Sequence, residues 1–362
     1  MTFPRKFKTF SLTTLIGGTF ATGLAALTIE PVVEGLNAPW GVAPLPGGGV
    51  LVTEKGGALI YQKDGTRRSI NGVPEVAVVG QGGLLDITLA QDFEQSRTLY
   101  LTYAKQQKSG GTGTALASAR LSPDATELND LTEIFAMKPG NKGGQHFGSR
   151  VVEAPDGTLL MTLGERGNRP AAQDRSTHNG SIIRVNRDGS VPDDNPFVDA
   201  PDVLPEIWSY GHRNPQGAGL DLEGRLWVSE HGAKGGDEVN RIAKGANYGW
   251  PVISFGEHYS GEKIGEGSAK EGMEQPALYW DPSIAPAGLM VYSGAQFPDW
   301  KGDIFVGSLK FDYIARLSGD PLQDVEQIKT PQTARVRDVV EGPKGAIWFI
   351  SETNGTVYRV TP

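Results

Sequence analysis

The sequence predicts an all-β fold, a six-bladed β-propeller with four strands to a blade, and three observations carry that expectation. First, one unit recurs along the 362 residues: a Gly-headed apolar stretch, a Pro- or Asp-Gly turn, a strand ending in Thr/Ser-Glu, and a second strand. "APDGTLLMTLGERG", "DLEGRLWVSEHG" and "GPKGAIWFISETNG" are three copies of its centre. Second, 49 Gly and 24 Pro beside a hydrophobic content of 38% suit many short strands and tight turns. Third, no window beyond the N-terminus sustains the period of a helix. Repeats of about 40–70 residues built from short strands indicate a radial or solenoid architecture. Equivalent positions of every unit then meet around one axis.

The chain opens with Arg5, Lys6 and Lys8 ahead of an apolar run, Phe10–Leu27, with small residues near Gly23–Ala26. A cationic flank, a moderate apolar stretch and small residues make a secretory signal peptide. Thr and Gly interrupt the run, which makes it marginal as a retained membrane anchor. Residues 1–25 are therefore expected to be removed near Ala25, leaving 26–362 as one catalytic domain in the periplasm, without stable membrane insertion. The chain has no cysteine, so the fold must be held by its core alone.

Leu27–Val33 reads as a strand ahead of the first full unit. It is expected to complete the last blade beside Gly355–Val360, tying the termini together and removing free sheet edges. Full units are legible at Trp40–Gly65, Phe147–Gly189, Gln216–Gly245, Gly288–Asp320 and Val336–Val360, with a degraded copy at Gly83–Tyr103. Their strands alternate apolar with small or polar residues, and Asp-Gly, Glu-Gly or Lys-Gly turns separate them. Ala104–Thr114, Asn168–Gly180, Asp194–Pro205 and Ser254–Gly272 carry no strand pattern and are expected as loops on the faces, where binding sites are built.

A net charge of −8 argues against nucleic-acid binding, because phosphate affinity needs a basic face. Against that acidic background, the segments opening the innermost strands are polar and basic: Gln81, His146, Arg213 and Asn214, Lys310, Arg335 and Arg337. A single such cation is ordinarily a solvated surface charge. Several converging on one axis are different, since two charges ~6 Å apart repel by roughly 3 kcal/mol at an effective dielectric of about 20. Pooling Arg213, Lys310, Arg335 and Arg337 calls for a ligand with several negative charges and planar oxygen pairs, which guanidinium forks match.

His146 is one of five histidines and is flanked by Gly143, Gly144 and Gly148. A lone His is ordinarily structural; on a backbone that can approach a ligand closely, this one is placed as a general base. His212 reads as a packing or hydrogen-bonding residue, and His178, His231 and His258 lack zinc-site spacing. In the Gly-rich segment Ser229–Pro251, the carbonyls of Gly232 and Ala233 with the carboxylates of Asp237 and Glu238 suit a hard cation such as calcium. An acidic surface turn fits that spacing equally.

"GLNAPWGVAPLPGGGVLVTEKGG", "GQGGLLDI", "GHRNPQG", "DEVNRIAKGANYGWP" and "RVRDVVEGPKG" together resemble the soluble quinoprotein glucose/sorbosone dehydrogenases, most closely the shorter branch of soluble aldose sugar dehydrogenases. The resemblance runs in order through nearly everything after the signal segment. It implies a six-bladed propeller with pyrroloquinoline quinone, a flat tricarboxylate, as cofactor. It implies that His146 takes the proton from the anomeric hydroxyl of an aldose while hydride passes to the quinone, giving the aldonolactone. Arg213 would polarise the quinone oxygens. Gln81, Asn214, Lys310, Arg335 and Arg337 would hold the cofactor, with Ser283 of "DPSIAP" a weaker match. Gly232 and Ala233 carbonyls would bind calcium at the quinone, and Glu238 and Tyr248 would serve a second, structural calcium.

Two departures from the better-known glucose-specific branch stand out. Gln145 precedes His146 where that branch has an acidic residue, which removes that carboxylate's assistance to the base. The long face insertions are also missing, which implies an open site and a broad range of mono- and disaccharides. Tyr279 and Trp280 could wall such a site or serve as blade core. The electron acceptor is not named by these residues, and the chain is expected as a monomer or homodimer. The rival readings are a calcium-dependent lactonase propeller, which has no use for Lys310, Arg335 and Arg337, and a non-enzymatic propeller binding a glycan or protein, which does not explain His146 between glycines beside Arg213 and Gln81.

Overall fold

The computed structural model describes residues 27–108 and 110–362, so the expected signal peptide at 1–25 lies outside the described residues. The strands form six four-stranded sheets. Residues 39–69 make blade 1, 84–136 blade 2, 151–210 blade 3, 215–280 blade 4 and 286–328 blade 5, each pairing its strands in chain order. Blade 6 takes three strands from residues 336–361 and its fourth from Thr28–Val33. That N-terminal strand pairs antiparallel with the C-terminal one, Thr28 opposite Thr361 and Val33 opposite Val357, which is the expected closure. The first strand of each blade contacts the first strand of the next, and that of blade 6 contacts that of blade 1, so the ring is complete.

The core lies in wedges between neighbouring sheets. Val42, Val50, Val52 and Ile60 of blade 1, for example, pack against Trp348, Ile350 and Val357 of blade 6. The buried face of each sheet is thus supplied by its neighbour, which is why a single unit could not fold alone.

Two expectations change. Most of Ala104–Thr114 is a hairpin: Thr98–Gln106 pairs with Thr112–Leu121, with Ala104 opposite Thr114 and Gln106 opposite Thr112. Ala104, Thr112 and Thr114 share one face of the ribbon and are buried, with Lys105 opposite Gly113 on the other; only three residues of each strand fall in this stretch, too few to show an alternation. Asn168–Gly180 contains a short 3-10 turn, Arg169–Gln173. The poor unit at Gly83–Tyr103 is explained by a four-residue helix, Phe93–Ser96, standing where the other blades have a Gly turn.

What positions the site is the start of each innermost strand. In five blades the pairing slips there: at Pro39/Val42, Leu84/Ile87, Pro215/Gly217, Pro286/Leu289 and Val336/Asp338. A bulge bends a strand and re-aims its side chains, and at three of these points the residues concerned include polar ones, Asp86, Gln216 and Arg337.

Candidate active site

A cavity of about 220 Å³ sits on the axis and is lined from all six blades: Trp40, Gln81, Phe147, Asn214, Leu309, and Arg335 with Arg337. A second cavity of about 700 Å³ shares His231 and Ala285 with the first and is lined by Gly232, Ala233, Ser283 and Lys310. Arg213, Glu238 and Tyr248 border a small recess that also touches His231 and Gly232. The residues expected from six distant stretches of chain are therefore gathered in three adjoining spaces. His146 joins them through its main-chain N–H, which donates to Gln81 Oε1 at 2.8 Å.

Three carboxylates that the residue-by-residue reading passed over organise the site. Glu230 and Glu352 directly follow the Ser at the end of the second strand in their repeat copies, and Glu165 stands three residues past the equivalent Thr162. Glu165 Oε1 lies 2.7 Å from His146 Nδ1. A carboxylate can only accept, so Nδ1 carries the hydrogen and Nε2 keeps its lone pair. Burial holds the His146 imidazole below its ordinary value; the Glu165 hydrogen bond opposes that, while Arg213 and Arg166 add to it. The base is thus neutral and oriented, and Gln145 is not needed for that. Glu165 follows Gly164, not Thr or Ser, and 19 residues separate it from His146, so aligning the repeat on Thr/Ser-Glu does not find it.

Glu230 accepts from Arg213 N at 3.0 Å and meets His212 Nδ1 at 2.9 Å. His212 also meets Ser209 Oγ at 2.9 Å and stacks on Tyr248, as expected of a packing residue. Glu352 lies 2.7 Å from Arg337 Nη2 and 3.2 Å from Arg335 Nε. The basic cluster is therefore partly neutralised from within, which softens the repulsion expected of bare cations. Arg337 Nη1 donates to Gln216 Oε1 at 3.0 Å.

Small residues make room for the His146 loop. His146 itself has φ +54°, in the left-handed region, and a Cβ on Gly164 would overlap its carbonyl oxygen. Strain of this kind persists where surrounding structure over-determines it. Polar capacity is left over beside the cavities. Arg213 Nη1 donates to His231 O at 3.3 Å, but its Nε has no partner among the described residues, and neither has His231 Nε2. Burial pushes His231 down to about 3, with Arg213 and Arg337 adding to the effect, so this imidazole is neutral.

The cation reading divides in two. Asp237 and Glu238 are successive strand residues and point to opposite faces. Asp237 uses its oxygens to brace Gly232 N and Ala285 N, both at 2.7 Å. Glu238 sits opposite Glu230 across the ladder, and Asn240 Nδ2 donates to both carboxylates at 3.0 Å. The four residues expected around one ion are therefore divided, with Glu238 facing away from Asp237. Gly232, Ala233 and Asp237 border the large cavity, and Glu238 borders the recess, which Gly232 also touches. Burial and Glu230 push Glu238 up to about 8. The Tyr248 hydroxyl is spent, donating to Arg241 O at 2.7 Å and accepting from Ala243 N at 2.9 Å, which leaves its carbonyl. Among the described residues no trio of His, Cys, Asp and Glu side chains forms a metal cluster. Trp280 is blade core, and Tyr279 stacks on Phe255 at 4.2 Å. No helix among the described residues is long and apolar enough to cross a membrane.

The glucose/sorbosone dehydrogenase family model matches residues 36–359. The aldose sugar dehydrogenase YliI of Escherichia coli (strain K12) is 41% identical over 347 residues, 93% of this chain and 94% of that protein. The crystal structure of the soluble aldose sugar dehydrogenase from Escherichia coli in the apo-form superposes with a TM-score of 0.88 at 39% identity, covering 92% of this chain and 99% of that one. The PQQ-bound form of the aldose sugar dehydrogenase from Streptomyces coelicolor superposes with a TM-score of 0.76 at 26% identity, covering 93% and 99%. The chain belongs to the glucose/sorbosone dehydrogenase family and is an oxidoreductase.

Proposed function

We propose that this family member oxidises aldose sugars, mono- and disaccharides alike, at the anomeric carbon to aldonolactones, with pyrroloquinoline quinone and calcium as cofactors, after export to the periplasm. One observation carries the reading: a neutral, carboxylate-oriented imidazole, His146 on Glu165, stands beside a basic pocket built from separate blades.

The donor set suits a flat tricarboxylate. Arg335 and Arg337 offer guanidinium forks, Lys310 a point charge and Asn214 an amide, and Arg213 Nε and His231 Nε2 are unspent. Carbonyls at Gly232 and Ala233 suit calcium beside that cofactor, since hard cations take oxygen ligands. The buried Glu230–Glu238 pair supports a second calcium, because a dication would relieve the repulsion that raises Glu238. When bound, the quinone supplies the hydride acceptor, and calcium makes it more electrophilic.

The protein's own part is proton transfer and charge stabilisation. His146 Nε2 takes the proton of the anomeric hydroxyl, and Glu165 stabilises the imidazolium that forms. Arg213, largely buried, places its charge where negative charge develops, and a dry surrounding strengthens that effect. Gln81 holds the His146 main chain and so sets the height of the ring.

The test is direct. Purified protein is given pyrroloquinoline quinone, calcium, an aldose and a dye acceptor. Dye reduction that requires both additions is expected, across a panel of sugars without one strong preference. An inert protein that has taken up the cofactor overturns the reading and returns the field to a lactonase or a glycan binder.

A further inference from the structure

We infer that Arg166 is a positioning residue for His146: its guanidinium clamps the main-chain carbonyls of Gly143 and Gln145 and so fixes the loop that aims the imidazole. The inference rests on the reading of His146 as the base. Arg166 is fully buried. Its Nη2 donates to Gly143 O at 2.6 Å and to Thr112 Oγ1 at 3.0 Å, and its Nη1 donates to Gln145 O. Its guanidinium carbon stands 3.4 Å from the centroid of the Phe147 ring. One side chain therefore holds the residues just before His146, covers the residue just after it, and ties all of them to the blade 2 hairpin.

The fork is bought at an electrostatic cost. No carboxylate forms an ion pair with Arg166 among the described residues. Its chain neighbour Glu165 is turned to His146 instead, and Nε has no partner. Burial pushes the guanidinium down to about 10. An unpaired buried charge is expensive, and Arg166 has φ +60°, facing a His146 loop that is itself left-handed. Such a costly residue, placed against the loop of the proposed base, points to function.

The charge has a second effect. The ionisable groups facing His146 are Glu165, Arg213, Arg166 and His231. Arg166 disfavours protonation of the imidazole, so removing its charge alone should raise the imidazole titration. Lysine would keep the charge, but one ammonium cannot span three oxygens on two segments.

Arg166→Gln and Arg166→Lys separate these roles. Each is compared with the parent after loading with pyrroloquinoline quinone and calcium, for turnover against pH, cofactor affinity and melting temperature. The His146 ring is followed by NMR titration without sugar and assigned by its loss in His146→Gln. For Arg166→Gln, turnover should fall roughly 10–100-fold, as a misplacement of about 1 Å can cause. Its cofactor affinity should stay within about twofold, the change expected when the clamp lies outside the cofactor's own donor set. Its acidic limb and its ring titration should both move to higher pH. Arg166→Lys should lose turnover while keeping the parent's titration.

Parent-like turnover and titration in Arg166→Gln overturn the inference, as does a turnover loss that only tracks melting temperature. If Arg166→Gln does not fold, parent-like turnover in Arg166→Lys overturns it. Retained turnover in His146→Gln removes the base reading instead, while the ring titration still reports whether Arg166 acts on that imidazole.

Discussion

Two arginines are buried in the same blade, and they are handled in opposite ways. Arg150 lies on the axis, 2.8 Å from Asp86 Oδ1 and 2.8 Å from Asp338 Oδ1. It also donates to Gln216 O at 2.8 Å and Arg337 O at 3.0 Å, and it covers the Trp40 ring. Blades 1, 2, 3, 4 and 6 meet in that one cluster. Its carboxylate partners hold the guanidinium above its ordinary value despite burial, while burial and Asp338 lift Asp86 to about 6. Arg166 has carbonyls and a hydroxyl in place of carboxylates, and its proton is held less tightly. The difference separates two uses of buried charge. Compensated charge joins the blades beneath the cavity, and uncompensated charge stands where an imidazole has to be aimed.

The largest effect should come from the aimed group itself. His146→Gln is expected to cut turnover by at least about 100-fold, as loss of a general base does, with cofactor affinity nearly unchanged in a binding titration. Loss of binding in place of turnover would reassign His146 to the cofactor. Arg150→Met should act on the other side of the comparison, leaving Asp86 and Asp338 buried together. Breaking a buried pair costs about 3–5 kcal/mol, so denaturant melts should show a large loss of stability. If the melts barely move, the axial cluster is not a tie between blades.

Lys310→Ala should weaken cofactor loading roughly tenfold, the scale of a lost hydrogen bond to a charged group, with turnover of the loaded enzyme retained. The smallest effect should be a shift in pH. Glu165 raises the His146 imidazole, so Glu165→Gln should carry the acidic limb further below the ordinary value near 6.5, opposite in sign to Arg166→Gln. Shifts in the same direction would mean that the two neighbours do not act through charge.

Much of the fold was legible because its information is local. Asp-Gly and Lys-Gly turns fix hairpins within a few residues, and Leu27–Val33 announced itself as an orphan strand with one place to go, observed as Thr28–Val33. The hairpin over Ala104–Thr114 was not legible, because only three residues of each strand fall there and period-2 patterning needs a longer run. At the site, Gln81, Asn214, Lys310, Arg335 and Arg337 could be picked from their place at the head of a unit, and the structure brings them around adjoining cavities. Glu230 and Glu352 were visible only as a repeated Ser-Glu pair and Glu165, behind Gly164, not even as that, since the partners of all three lie between 15 and 19 residues away in the chain.

By itself, the sequence determined the number of blades, the closure of the ring and the types of residue near the axis, since each of these follows from turn chemistry and repetition. Only the tertiary structure decided which charges are compensated. Asp237 and Glu238, adjacent in the chain, were sent to opposite faces of one strand, and Arg150 and Arg166 received carboxylates and carbonyls respectively. Charge pairing depends on distances of a few ångströms between separate strands and blades, and no spacing within one strand encodes them.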